Sequence, residues 1–277
     1  MAKKSKKISN GVNEFLLETL REEGRRLKIP PHKNRALIRE YLQTKIIYYL
    51  YELPSAGNLS FIGGTSLRIL RELDRFSEDL DFDNLGLSFP AINKLFAEIK
   101  NKLEKEGFEI EYQMKKTDNS GIGEMKFKNL LFQIKISSYE KENLVIRINY
   151  TTPRKKSETE TLILSRFGLA QSVVTNTAEF LFSQKIRAIF TRKDLQPRDF
   201  YDVVWFLSHR IKPSPKLFFE LGIKNEKELF LRINQVYQKK VLPEINQFKK
   251  RLSPFLIDEK KTSYLDLFGN LISSLAK

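Results

Sequence analysis

Asn58-Leu59-Ser60-Phe61-Ile62-Gly63-Gly64-Thr65-Ser66 and, a little further on, Arg75-Phe76-Ser77-Glu78-Asp79-Leu80-Asp81-Phe82-Asp83 are the two stretches that decide the fold. The first is a short apolar run stopped by paired glycines, the pattern of a strand that ends in a tight turn. Behind it Leu67, Leu70 and Leu73 recur on one side, so the spacing predicts a helix from Thr65 to about Leu73. The second stretch reads as a strand over residues 79–82. On a strand alternate side chains share a face, which puts Ser77, Asp79, Asp81 and Asp83 on one side and Phe76, Leu80 and Phe82 on the other. Strand, glycine turn, helix and amphipathic strand form the nucleus of an α/β unit.

Outward from that nucleus the pattern changes twice. Upstream, helical spacing runs over about residues 13–27 and 34–53, with Pro30-Pro31 between them because proline cannot continue a helix interior. Downstream, Ile92, Leu95, Phe96, Ile99 and Leu103 predict a helix over about residues 90–106, stopped by Gly107. Then the period becomes two. Phe108, Ile110, Tyr112 and Met114 alternate with polar residues, as do Met125 and Phe127, and Phe132, Ile134 and Ile136. A last strand is expected over residues 145–150. The charged segment 151–160, with Pro153, Arg154, Lys155 and Lys156, marks a boundary, and the chain beyond about Leu162 reads as helical to its end. The expected fold class is α+β (mixed α/β). Residues 1–160 form a mixed-sheet domain with N-terminal helices, and residues 161–277 a helical one.

Composition narrows the chemistry. The chain has 277 residues and no cysteine, so disulfides, cysteine-based zinc sites and thiol nucleophiles are excluded. With only His32 and His209, a histidine-rich metal site or a histidine-dependent triad is not expected. No apolar run approaches the roughly 20 residues a bilayer span needs. The start, residues 1–7, is basic and lacks a signal peptide's apolar region, so a cytoplasmic protein without a membrane partner is expected. The 49 Lys+Arg against 34 Asp+Glu leave +15 formal charges. Such an excess attracts polyanions, although a basic solvated surface carries the same signature.

Three features bear on chemistry. Gly63-Gly64 lets backbone approach a ligand closely, and the helix start behind it offers N–H groups to a phosphate; a plain strand-to-helix turn uses the same residues. Asp79 and Asp81, about 6.6 Å apart along a strand, repel each other unless a cation sits between them, and Mg²⁺ prefers such hard oxygen ligands together with substrate phosphates. A solvated strand face reads equally well for either carboxylate alone. Combined, the glycine turn and Asp-x-Asp suit a nucleoside triphosphate with its metal. Further on, Lys185 falls between Leu181 and Ile189 on the apolar arc of a helix over residues 178–192. Asp199 falls between Val203 and Phe206 on the apolar side of the helix that follows Pro197, while Asp202 projects with Arg198 and His209. A lysine and an aspartate misplaced in adjacent helices make either an active-site wall or a structural salt bridge.

On these residues the sequence resembles the AbiEii/AbiGii-type nucleotidyltransferase toxins of the polymerase-β-like superfamily. The carriers are Gly63-Gly64-Thr65-Ser66-Leu67, then Arg75-x-Ser77-x-Asp79-x-Asp81-Phe82, then Lys185-x-x-Ala188-x-x-x-Arg192 and Arg198-Asp199-x-Tyr201-Asp202, over about residues 35–210. The resemblance implies a polymerase-β-like nucleotidyltransferase domain followed by a helical domain. It implies transfer of a nucleotide from an NTP with Mg²⁺, pyrophosphate leaving, in a type IV toxin–antitoxin or phage-defence pair with a cognate antitoxin. Asp79 and Asp81 are then metal ligands and Lys185 touches the nucleotide phosphates. Asp199 is catalytically required, and Gly63, Gly64, Thr65, Ser66 and Ser77 line the phosphate site. RNA, with the tRNA 3′ end foremost, is the acceptor the resemblance suggests; a protein or small-molecule acceptor, or a degenerate RNA-binding module, are the alternatives. Many such enzymes carry a third carboxylate on a later strand. Here that strand reads Val145-Ile146-Arg147-Ile148-Asn149-Tyr150, with no acid.

Overall fold

The structure, a computed structural model, describes residues 10–154 and 156–276. The basic opening residues 1–7 and Lys155 of the charged segment lie outside them. In chain order the elements are α1 (Asn10–Arg26), α2 (Asn34–Tyr51), β1 (Leu59–Ile62), α3 (Gly63–Arg71), β2 (Asp79–Asn84), α4 (Phe89–Lys105), β3 (Ile110–Thr117), β4 (Ser120–Phe127), α5 (Leu130–Gln133) and β5 (Leu144–Thr151). They continue as β6 (Thr159–Arg166), β7 (Leu169–Asn176), α6 (Ala178–Thr191), α7 (Pro197–Ser208), α8 (Pro215–Phe218), α9 (Glu226–Val236), α10 (Ile245–Leu252) and α11 (Tyr264–Leu275).

The strands form one seven-stranded mixed sheet in the order β3-β4-β5-β2-β1-β7-β6. The meander β3-β4-β5 is antiparallel as its alternation predicts. β5 then lies parallel to β2, β2 antiparallel to β1, and β1 parallel to β7. One face of the central strands is wholly apolar: Phe61, Leu80, Phe82, Met125, Phe127, Ile146 and Ile148 are buried in a single core with α2 and α4 residues such as Leu42, Ile46, Phe96 and Ile99. α2 is buried nearly all round and carries polar side chains inward as well. Among them Glu40 receives the Arg68 guanidinium at 2.9 Å, an ion pair with both side chains almost fully buried. Tyr51, at the end of α2, places its hydroxyl 2.6 Å from Leu59 O on β1 and 2.8 Å from Val174 O on β7. Burial pushes its phenol above the ordinary tyrosine range, so it remains a donor where these parallel strands meet.

Two expectations are corrected. Residues 159–176 are a hairpin, β6 and β7, not the beginning of the helices. The turn between them is Phe167-Gly168, with φ of +52° and +74°, the left-handed pair that a two-residue hairpin requires. Phe167 itself packs edge-on against Tyr41, ring centres 5.4 Å apart. The chain accordingly divides into a unit ending at Thr175 and a helical unit beginning at Asn176, so the hairpin belongs with the sheet. Likewise residues 132–136 are not a strand. Asn129 enters α5 at φ +55°, and burial follows Leu130, Leu131 and Ile134, a helical spacing, while Phe132 is exposed.

The second unit is built on aromatics. Phe182 of α6 stacks on Phe206 of α7 at 4.7 Å, and Phe200 meets Phe248 and Phe268 edge-on. Pro197 opens α7 at a first-turn position, where its missing N–H costs nothing. Among the described residues no helix is long and apolar enough to cross a membrane.

Candidate active site

β2 presents Asp79 and Asp81 on the sheet face opposite the apolar core, both partly exposed. The same face is continued by the register: Asp79 stands beside Arg147 and Asp81 beside Asn149 on β5, while Ile62 stands beside Asp81 on β1. Immediately after Ile62 the chain turns through Gly63 at φ +80° into α3. The turn needs glycine for a second reason. A Cβ on Gly63 would lie 2.4 Å from Asp81 Oδ2, so the carboxylate occupies the space a side chain would fill. A Cβ on Gly64 would lie 2.8 Å from both the Arg75 guanidinium and Ser77 Oγ. The paired glycines thus let one strand end fold onto the functional groups of the segment 75–81.

α3 starts without a side-chain cap, so its first-turn N–H groups are offered beside Asp81. The hydroxyls expected to line a phosphate site are otherwise engaged. Thr65 Oγ1 donates to Asp79 O at 2.5 Å and Ser66 Oγ to Gly63 O at 3.3 Å, both residues being buried. What Thr65 offers a ligand is its backbone N–H, whereas that of Ser66 closes the first helical turn; the Thr65 side chain ties the glycine turn to β2 and that of Ser66 braces the turn itself. Ser77 is partly exposed above Gly64.

Three further residues support the site: Arg75 stands among those quoted for the resemblance and Asn149 on the strand that lacks a third acid, whereas Gln43 escapes sequence reading. Gln43 of α2, 1% exposed, donates to Ser77 O at 3.2 Å and to Glu78 O at 2.8 Å, holding the chain that enters β2. No local signal marks it, since Glu40, Thr44 and Lys45 beside it on α2 are polar as well. Arg75 is 1% exposed and donates to Phe76 O at 2.9 Å. Asn149 donates from Nδ2 to Asp81 Oδ1 at 3.0 Å, so where a third acid was sought the carboxylate meets an amide. Asp83, on the same face by alternation, is buried and accepts from Ser157 Oγ at 2.8 Å. It serves the structure.

Lys185 and Asp199 lie in the second unit and meet there. Lys185 Nζ is 3.4 Å from Asp199 Oδ1 and 2.9 Å from Asp202 Oδ2, and Arg192 approaches Asp199 Oδ2 at 2.8 Å. Asp202 does not project with Arg198 and His209 as the helical wheel places it; it is fully buried and is the closer partner of Lys185. Both carboxylates need a cation at that depth, since an unpaired buried charge is strongly unfavourable.

Among the described residues no group of three or more His, Cys, Asp or Glu side chains is placed to hold a metal. Asp79 and Asp81 are two hard oxygen donors on one face, the number with which Mg²⁺ is commonly held while substrate phosphates and water complete its shell.

Comparison with known proteins bears on the fold and on the family. No curated protein matches the chain. The solved structure of JHP933 from Helicobacter pylori is similar at a TM-score of 0.56 and 20% identity, covering 90% of this chain and 94% of that one. MenT4, a nucleotidyltransferase toxin from Mycobacterium tuberculosis, is similar at a TM-score of 0.52 and 15% identity, covering 93% and 99%. At these identities they establish the fold, a mixed sheet followed by helices. A family model, described as the nucleotidyl transferase AbiEii toxin of a type IV toxin–antitoxin system, matches residues 45–268. That span contains the glycine turn, the Asp79/Asp81 strand and the Lys185/Asp199 cluster, and the chain belongs to the AbiEii family of nucleotidyltransferase toxins.

Proposed function

We propose that this toxin is Mg²⁺-dependent and transfers a nucleoside monophosphate from an NTP to a hydroxyl of RNA, the tRNA 3′ end being the acceptor the family resemblance suggests. In the step, the acceptor oxygen forms a bond to the α-phosphorus and its proton passes to solvent water. The bond from that phosphorus to the bridging oxygen breaks, and pyrophosphate leaves with the electron pair. One observation carries the reading: Asp81 Oδ2 sits against Gly63 at the uncapped start of α3, where phosphate oxygens would be received. A carboxylate and a triphosphate share such a place through a cation.

Asp79 and Asp81 are the residues that would hold Mg²⁺, which neutralises charge on the phosphates and activates the attacking hydroxyl. The N–H groups of Gly63, Gly64 and Thr65 receive phosphate oxygens, Ser66 braces the turn through its hydroxyl, and the Ser77 hydroxyl adds a donor. Lys185 offsets phosphate charge, and Asp199 is required because it holds that lysine in place. The +15 formal charge supports a polyanionic acceptor. Family membership brings an antitoxin partner, and the setting proposed is toxin–antitoxin or phage defence in the cytoplasm.

The test is incubation of the protein with each labelled NTP, Mg²⁺ and total RNA, beside Asp81→Asn and Asp83→Asn proteins. Label in RNA, lost in Asp81→Asn and kept in Asp83→Asn, is the expected result. Label in protein alone would transfer the proposal to a protein acceptor. Mg²⁺-indifferent RNA binding without transfer would establish the degenerate module, whose support is the Asn149 amide and Arg147 cation in place of a third acid.

A further inference from the structure

The two sides of β2 differ. On the β1 side lie the glycine turn and the start of α3; on the other lie β5, β4 and finally β3 at the sheet edge. Attacking and leaving oxygens stand in line across a transferring phosphorus. With the triphosphate over the glycine turn, the pyrophosphate leaves on the β1 side and the acceptor enters from the β5 side. The register defines what it meets there. From Asp81 outward a single row runs through Asn149 and Ile122 to Lys115, and the adjacent row from Asp79 through Arg147 and Glu124 to Gln113.

The chemistry of these rows suits a nucleic-acid strand. The Arg147 side chain is 65% exposed, and its one ion pair among the described residues is a long 3.9 Å approach to Glu124. Lys115 is exposed and has no ion pair among the described residues. Between them Ile122 is 54% exposed, the one apolar side chain in these two rows. Neighbouring strands are ~4.8 Å apart, so Arg147 stands about 5 Å and Lys115 about 14 Å from the β2 axis. Lys115 thus lies two strand spacings, about 10 Å, beyond Arg147 across the sheet, and the two cations can meet phosphates of one extended strand.

Resting on the function proposed above, we infer that the outer face of β5, β4 and β3 is the acceptor track. Arg147 and Lys115 contact backbone phosphates of an RNA 3′ end, and Ile122 supports the sugar or base between them. The guanidinium fork matches phosphate geometry, and the spacing makes Arg147 the contact nearest the reacting hydroxyl.

The experiment measures binding of a fluorescent single-stranded oligoribonucleotide with a free 3′ hydroxyl by anisotropy across a salt series, for wild type, Arg147→Glu, Lys115→Glu and the double variant. NTP binding and thermal stability are measured in parallel. Each single variant is expected to weaken RNA binding several-fold at low salt. Each lost phosphate contact flattens the slope of log K against log salt by about 0.7. The KM for the acceptor rises while NTP binding stays at the wild-type level. The inference is overturned if both variants bind RNA with wild-type affinity and salt slope, or if the loss extends equally to NTP. It is also overturned if a protein, and not RNA, takes up label. Wild-type protein that neither binds nor labels RNA would refute the RNA-acceptor reading itself, a failure distinct from a track located elsewhere.

Discussion

Gly63→Ala is the substitution whose outcome the geometry determines most sharply. Alanine at φ +80° adopts a left-handed conformation at a cost of about 1–2 kcal/mol. Its Cβ would also lie 2.4 Å from Asp81 Oδ2, 3.1 Å from Asp81 Cβ and 3.2 Å from Asp81 Cγ. Overpacking of this kind costs about 1–3 kcal/mol, and the two contributions together come to about 2–5 kcal/mol. In a unit of this size about 1 kcal/mol moves the melting temperature by 2–4 °C. A fall of about 4–20 °C is therefore expected by circular dichroism. The only relief open to the protein is to swing the Asp81 carboxylate off the turn and away from Asn149, and a displacement near 1 Å costs about 100-fold in rate. Nucleotidyl transfer measured well below the melting temperature should fall accordingly. Gly57→Ala is the control, because no atom lies within 4 Å of the added Cβ. Its stability should stay within about 1 kcal/mol of wild type. Wild-type melting and transfer in Gly63→Ala would refute the close approach of Asp81 to the glycine turn.

Two further predictions follow from buried polar contacts. Gln43→Leu keeps the side-chain volume but removes both amide hydrogen bonds to the carbonyls of Ser77 and Glu78; urea unfolding should show a loss of about 1–3 kcal/mol, with reduced transfer because the entry to β2 is loosened, and wild-type values for both would remove Gln43 from the site's support. Lys185→Met strips the nearer cation from fully buried Asp202, and should destabilise by about 3 kcal/mol with recovery in Lys185→Arg; unchanged stability in the methionine variant would show that the lysine is not needed to hold the two carboxylates.

Much of the site was legible because its signals are local. Alternation along β2 places Asp79 and Asp81 on one face and Leu80 and Phe82 on the other from backbone pleating alone, and the paired glycines announce their turn. The apolar-arc positions of Lys185 and Asp199 follow from the helical repeat, and the structure pairs them. The wheel set Asp202 on an outer side, but α7 has none there: every residue from Asp199 to Phe206 is buried, and Asp202, an i,i+3 neighbour of Asp199, meets the same lysine. The hairpin of β6 and β7 was read as helix because its strands alternate weakly, with Ile163 exposed and Leu164 buried. Its identity rests on the Phe167-Gly168 turn and on pairing with the distant β1. Residues 132–136 differ the other way: Phe132, Ile134 and Ile136 alternate, but the left-handed Asn129 sets the short helix α5 instead.

The residue order by itself determined the strand–turn–helix–strand nucleus, the face on which the carboxylates stand and the need for glycine beside them, since these follow from backbone geometry over a few residues. Which strand would flank β2, and in what direction, only the tertiary structure decided. Parallel pairing with β5 brings Asn149 to Asp81 across 68 residues of chain. No local periodicity encodes such a partner, because register between distant strands is selected by the packing of their shared apolar face.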